Sequence, residues 1–125
     1  MANTLFNVYI DGVLQTEEQT QSYSEIIQVA TTKILGLSDA GTYQNCTNTS
    51  PTDINIEIPL NATVAIPITT EIIFERSGTG EVNFTVEVGV TLLSEGSKVQ
   101  INALYQTVVL KKKNTNTWVL FGALK

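Results

Sequence analysis

Histidine is absent from these 125 residues, and cysteine and tryptophan each occur once. Without histidine there is no Ser-His-Asp or Cys-His nucleophile, and the commonest metal ligand is missing. Cys46 has no partner for an intramolecular disulfide and anchors no metal site alone, so it reads as a small core residue. No apolar run approaches the ~20 residues of a membrane-spanning helix. Basic residues are also few: seven Lys and Arg stand against twelve Asp and Glu, a formal net charge of −5. That balance argues against non-specific nucleic-acid binding. Residues 1–11 carry neither a basic residue nor a long apolar core, so no secretory signal is expected and synthesis in a cytoplasm is. No Gly-x-Gly-x-x-Gly opens a helix and no Walker-type loop is present; no cofactor and no metal are expected.

What is present is strand. From Glu81 onward, Val82, Phe84, Val86, Val88 and Val90 fall on one side, and Glu81, Asn83, Thr85 and Glu87 on the other. This is the period of a strand with one buried face. Ile72, Ile73 and Phe74 lead into Ser77-Gly78-Thr79-Gly80, where two glycines are free to take positive φ. Residues 71–90 therefore predict a β-hairpin, and a tight turn explains Gly78-Thr79-Gly80 better than a phosphate cradle.

Upstream, Phe6, Val8 and Ile10 alternate before Asp11-Gly12, a strong hairpin signal. The polar stretch 15–24 reads as a connector or an extended arm. Residues 25–37 are ambiguous. Ile26, Ala30 and Ile34 suit a helix face, but the β-branched Ile26, Ile27, Val29, Thr31, Thr32 and Ile34 favour strand, which is the expectation here. Further strands are predicted over 42–47, at Ile54, Ile56 and Ile58, and over 64–68, where Pro67 restricts the chain to an edge or bulge. Later ones follow over 99–105, 108–110 and 118–121. Turns are expected at 38–41, 48–52, 59–62, 94–97 and 111–116. Trp118, in the last apolar run, should be buried. The chain reads as all-β: an antiparallel β-sandwich or jelly-roll-like single domain over 24–125, with an N-terminal hairpin or arm over 1–23.

Only carboxylate pairs remain as catalytic candidates. A glycosidase needs two carboxyl groups roughly 5–9.5 Å apart. Glu81 and Glu87 on one strand would lie about 20 Å apart. Asp53 and Glu57 also share a strand face, and a solvated sheet face explains all four. No catalytic residue is assigned. Lys111-Lys112-Lys113, the one basic cluster, reads as a turn that blocks edge pairing or touches an acidic neighbour in an assembly. Asn45, Asn48, Asn61 and Asn83 each begin an N-glycosylation triplet, as an Asn- and Thr-rich composition would produce.

Several segments, taken in order and spacing, resemble a small β-rich module of tailed-bacteriophage virion proteins. They are Leu37 to Tyr43, Ile54 to Pro59 with Asn61 to Pro67, Phe74 with Gly78 to Phe84, Gly89 to Leu92, Gln106 to Lys111 and Asn116 to Gly122. The resemblance covers roughly the last two-thirds of the chain; the first thirty or so residues lie outside it. It implies a non-enzymatic structural module, commonly trimeric, with no catalytic residues. The expectation is a capsid decoration (cement) protein in the virion, a homotrimer bound to the major capsid protein or another virion protein. Contacts are expected through Leu5, Phe6, Val8 and Tyr9 and through Lys111, Lys112 and Lys113. The alternative is a tail-fibre or host-adsorption component whose loop 45–52 meets a glycan.

Overall fold

The computed structural model describes residues 4–10, 13–19 and 23–125, the first two stretches as strands without their side chains. β1 (Thr4–Ile10) and β2 (Val13–Gln19) pair antiparallel with Ile10 opposite Val13. The expected Asp11-Gly12 turn lies outside the described residues.

From residue 24 the chain winds between two sheets. β3 (Ser24–Gln28), β5 (Thr42–Cys46) and β7 (Glu71–Arg76) stack in parallel in one sheet. β4 (Thr32–Ile34), β6 (Ile54–Ile58) and β8 (Val82–Val86) stack in parallel in the other. Each coil contributes one strand to each sheet, the winding of a short β-solenoid. The far end is sealed differently. β10 (Gln106–Asn114) pairs antiparallel with β7 and with β11 (Thr117–Gly122), and β9 (Thr91–Ser94) lies parallel to β11 at the sheet's edge. The larger sheet thus runs β3-β5-β7-β10-β11-β9, the smaller β4-β6-β8.

The all-β expectation holds; the antiparallel sandwich or jelly roll does not. The instructive difference is at 71–90. β7 and β8 do not pair with each other but sit in opposite sheets, joined by an arch at 77–80. Strand alternation states which side chains face inward, and those of an arch face one another across the core. Phe74 and Phe84 do so, ring centroids 5.0 Å apart at 78°, an edge-to-face contact of roughly 0.5–1.5 kcal/mol.

The arch also explains its glycines differently. Neither Gly78 nor Gly80 has positive φ. A Cβ on Gly78 would stand 2.1 Å from the Asn48 carbonyl oxygen, and one on Gly80 would stand 2.1 Å from that of Thr52. Close approach of two backbones, not turn geometry, requires them. Arg76, buried, closes the arch by donating from Nε to the Gly78 carbonyl (3.2 Å) and from Nη2 to that of Thr79 (2.8 Å).

The core between the sheets is built from alternate residues: Ile54, Ile56 and Ile58 of β6, Ile72 and Phe74 of β7, Val108 and Leu110 of β10, Trp118 and Leu120 of β11. Trp118 is buried as expected, and so is Cys46. Within 25–37 the expected strand is found only in part, as β3 and β4; 29–31 and 35–36 are irregular and Leu37 opens a 3-10 turn. Two predicted strands are not regular. Over 64–68 the chain is a loop that drops Ile66 into the core. Over 99–105 only Gln100 and Ile101 bridge, and Tyr105 turns left-handed at φ 61. The alternation from Val82 also ends early. Val88 is almost fully exposed, because the chain turns at Gly89 (φ 101) before Val90 re-enters the core.

Candidate functional site

The predicted contact residues do not form one group. Leu5, Phe6, Val8 and Tyr9 lie on β1, and their side chains are outside the described residues. Lys111 and Lys113 are exposed, with Lys111 3.8 Å from Glu71 across the β10–β7 pair. Lys112 is different and corrects two expectations, that 111–116 is a turn and that Lys112 is a contact residue. β10 continues through Asn114, and Lys112 is 1% exposed. Its ammonium donates to Asn61 Oδ1 (2.7 Å) and the Ile66 carbonyl (2.6 Å), 5.7 Å from the centre of the Trp118 ring. Burial lowers its pKa from the usual lysine value. Parity was the available signal: Val108 and Leu110 face inward, so the next alternate residue must also.

Three of the four carboxylates considered for catalysis have structural partners. Asp53 Oδ1 accepts the Glu81 N–H at 2.8 Å. The Glu81 carboxylate lies between Arg76 (3.5 Å) and Lys125 (3.0 Å). Glu87 accepts the Leu60 N–H (2.6 Å) and the Thr63 hydroxyl (2.8 Å), tying down the loop after β6. Glu57 lies on β6 between the inward-facing Ile56 and Ile58. The first half of loop 45–52 is likewise engaged inward, while 49–52 are exposed. Asn48 donates to the Ala30 carbonyl at 2.8 Å, Thr47 to that of Gln28 at 3.3 Å, and Asn45 Oδ1 accepts the Ser77 hydroxyl.

The first coil carries two features that residue-level reading missed. Its interior holds a polar cluster beside the buried Leu35. Asp39, 1% exposed, accepts the Gly36 N–H (2.7 Å) and Gln44 Nε2 (2.9 Å) and lies 3.1 Å from the Lys33 ammonium. Gln28 extends the chain by donating to Gln44 Oε1 at 2.6 Å. Such a plug lets the stack end without exposing its core. Its exterior is apolar: Ile27 is 62% exposed, Val29 71%, Ile34 55% and Leu37 62%. β3 and β4 also end their sheets, so among the described strands none pairs with their outer edges. Edge strands ordinarily carry Lys, Pro or a bulge against pairing; β3 contains neither Lys nor Pro, whereas β4 carries Lys33.

Two weak acids, the buried Cys46 and the half-buried Tyr43, set the alkaline limit. Burial, then the Glu75 charge, pushes the Cys46 thiol up to about 12. Burial, a hydrogen bond to Glu75 and the charges of Glu75 and Glu25 push Tyr43 up to about 12. Both groups hold their protons longer folded than unfolded. Their stabilisation is therefore complete below pH 9 and lost as pH rises towards 12. Lys112 acts oppositely, since its burial penalty lifts as it deprotonates. Urea midpoints should fall above pH 9, and the fall should be markedly shallower in Cys46→Ala; an identical fall would exclude the thiol.

No family model, no curated protein and no solved structure matches this chain.

Proposed function

We propose that the chain is a structural component of a bacteriophage particle, a decoration protein that adheres to the capsid shell as a trimer. The observation that carries this reading is the first coil, where the unprotected edge of β3 and the end strand β4 adjoin the exposed Ile27, Val29, Ile34 and Leu37. Exposed apolar residues clustered beside open strand edges suit adhesion to another protein, by apolar burial and added strand pairing. Many copies on a repeating shell multiply a modest affinity. A tail-fibre role through loop 45–52 has weaker support, because Asn45, Thr47 and Asn48 spend their side chains on the arch and the first coil.

The test is occupancy on purified particles. Val29→Asp with Ile34→Asp should reduce bound copies at least about tenfold, since each carboxylate would be desolvated on contact. The melting temperature should hardly change, because both positions are exposed. Deleting residues 1–16 measures the hairpin's share separately. Full occupancy by the double variant would dispose of shell adhesion through this surface. Binding to host cells instead, with infection blocked, would favour the fibre.

A further inference from the structure

Lys112 is the only buried lysine of the chain. Its amine meets a carboxamide remote in sequence, with Nζ 2.7 Å from Oδ1 of Asn61, 51 residues away. Adding the length of one C=O bond puts Nζ within about 4 Å of the carboxamide carbon. That is close to the separation from which acyl transfer begins.

Both partners are held in place. A second amine hydrogen goes to the Ile66 carbonyl at 2.6 Å, and the Trp118 ring centre lies 5.7 Å from Nζ. The Asn61 N–H donates to Asn116 Oδ1 at 2.9 Å, and the Glu87 carboxylate ties down Leu60 and Thr63 on either side. Asn61 is only half-buried, so a small leaving group has a way out. Burial lowers the Lys112 pKa and raises the share of neutral amine, the nucleophilic form.

We propose that Lys112 and Asn61 join in an intramolecular isopeptide bond that fastens β10 to the loop after β6. Neutral Nζ attacks Asn61 Cγ and the Nζ–Cγ bond forms. A proton passes from Nζ to Nδ2, the Cγ–Nδ2 bond breaks, and ammonia leaves. No oxidant or co-reactant is consumed. Among the described residues no carboxylic acid hydrogen-bonds to either reacting group, so proximity alone drives the step. Ligation is therefore slow: the freshly folded chain carries the free amine, and the linked form accumulates with age. The bond forms within one chain, whatever that chain adheres to. It closes a long loop and so restrains the unfolded state.

The experiment is the intact mass of the purified full-length protein, fresh and after storage at mildly alkaline pH. Deamidation of other asparagines, which raises the mass, is the clock in the same sample. By the time it is measurable, a species lighter by one ammonia should be at least about tenfold more abundant than in fresh protein. Trypsin should then release a branched peptide joining the segments around Lys112 and Asn61. Lys112→Met, which keeps the bulk and removes the amine, should yield neither product. Succinimide formation also expels ammonia but needs no lysine, so an equal loss in Lys112→Met would overturn the proposal. So would deamidation in the parent without any branched peptide, a result that stands even where the variant fails to fold.

Discussion

Gly80→Ala is expected to lower the unfolding free energy by about 3 kcal/mol or more. The new methyl carbon would meet the Thr52 carbonyl oxygen at 2.1 Å and that of Asn48 at 3.0 Å. Backbone cannot move aside as a side-chain end can. One of two paired segments must shift, either the arch or loop 48–52, whose Asn48 carbonyl accepts the Gly80 N–H at 2.8 Å. Gly96 supplies the comparison. It is left-handed at φ 59, but only the side chain of Lys98 comes near its added Cβ, at 3.7 Å. Gly96→Ala therefore meets conformational strain without collision and should cost about 1–2 kcal/mol. Denaturant melts of the two variants rank the effects, and a larger loss at Gly96 would contradict the arch.

Trp118→Ala should cost about 3–5 kcal/mol, the range for removing a large buried aromatic. The indole is 1% exposed and packs among the alternate residues of β10 and β11. Its loss also uncovers Lys112, whose ammonium sits 5.7 Å from the ring centre. Water reaching that amine would return its pKa towards the ordinary lysine value, so the variant should lose the part of the pH dependence due to Lys112. Trp118→Phe separates packing from the indole N–H. Among the described residues Nε1 has no hydrogen-bond partner, so deleting that donor removes an unmet requirement. The phenylalanine variant should fall far closer to the parent than to the alanine one. Equal losses in the two would mean that ring volume is not what Trp118 supplies.

The elements themselves were legible because a strand with one dry side writes its period into the chain. Ile54, Ile56 and Ile58 are fully buried in this way, and Trp118 and Leu120 follow the same rule. Partnership was not legible. A hairpin and an arch share one pattern of alternation and one Gly-rich link, and the difference lies in whether backbone hydrogen bonds join the two strands or the strands of successive coils. Those coil neighbours lie far apart in sequence, as Tyr43 and Ile73 do, and no local residue choice records them. Lys112 was obscured by its own neighbours. A run of three lysines reads as solvated, although its middle member continues the inward series of Val108 and Leu110. Asp39 was visible only as a turn residue; its burial depends on Gln44 and Lys33 arriving from other strands. The apolar surface of the first coil was hidden for a related reason. Ile27, Val29 and Ile34 look like core until one knows that the stack ends there.

The order β7-β10-β11-β9 has a consequence for synthesis. β9 leaves the ribosome before β10 and β11, yet both later strands must come to lie between it and β7. The large sheet therefore stays unfinished until about the last twenty residues have emerged, and pairings of such long range close slowly. A chain halted before Gln106 would present the bare edge of β7 and the stranded β9 to its surroundings, which favours clumping over solubility.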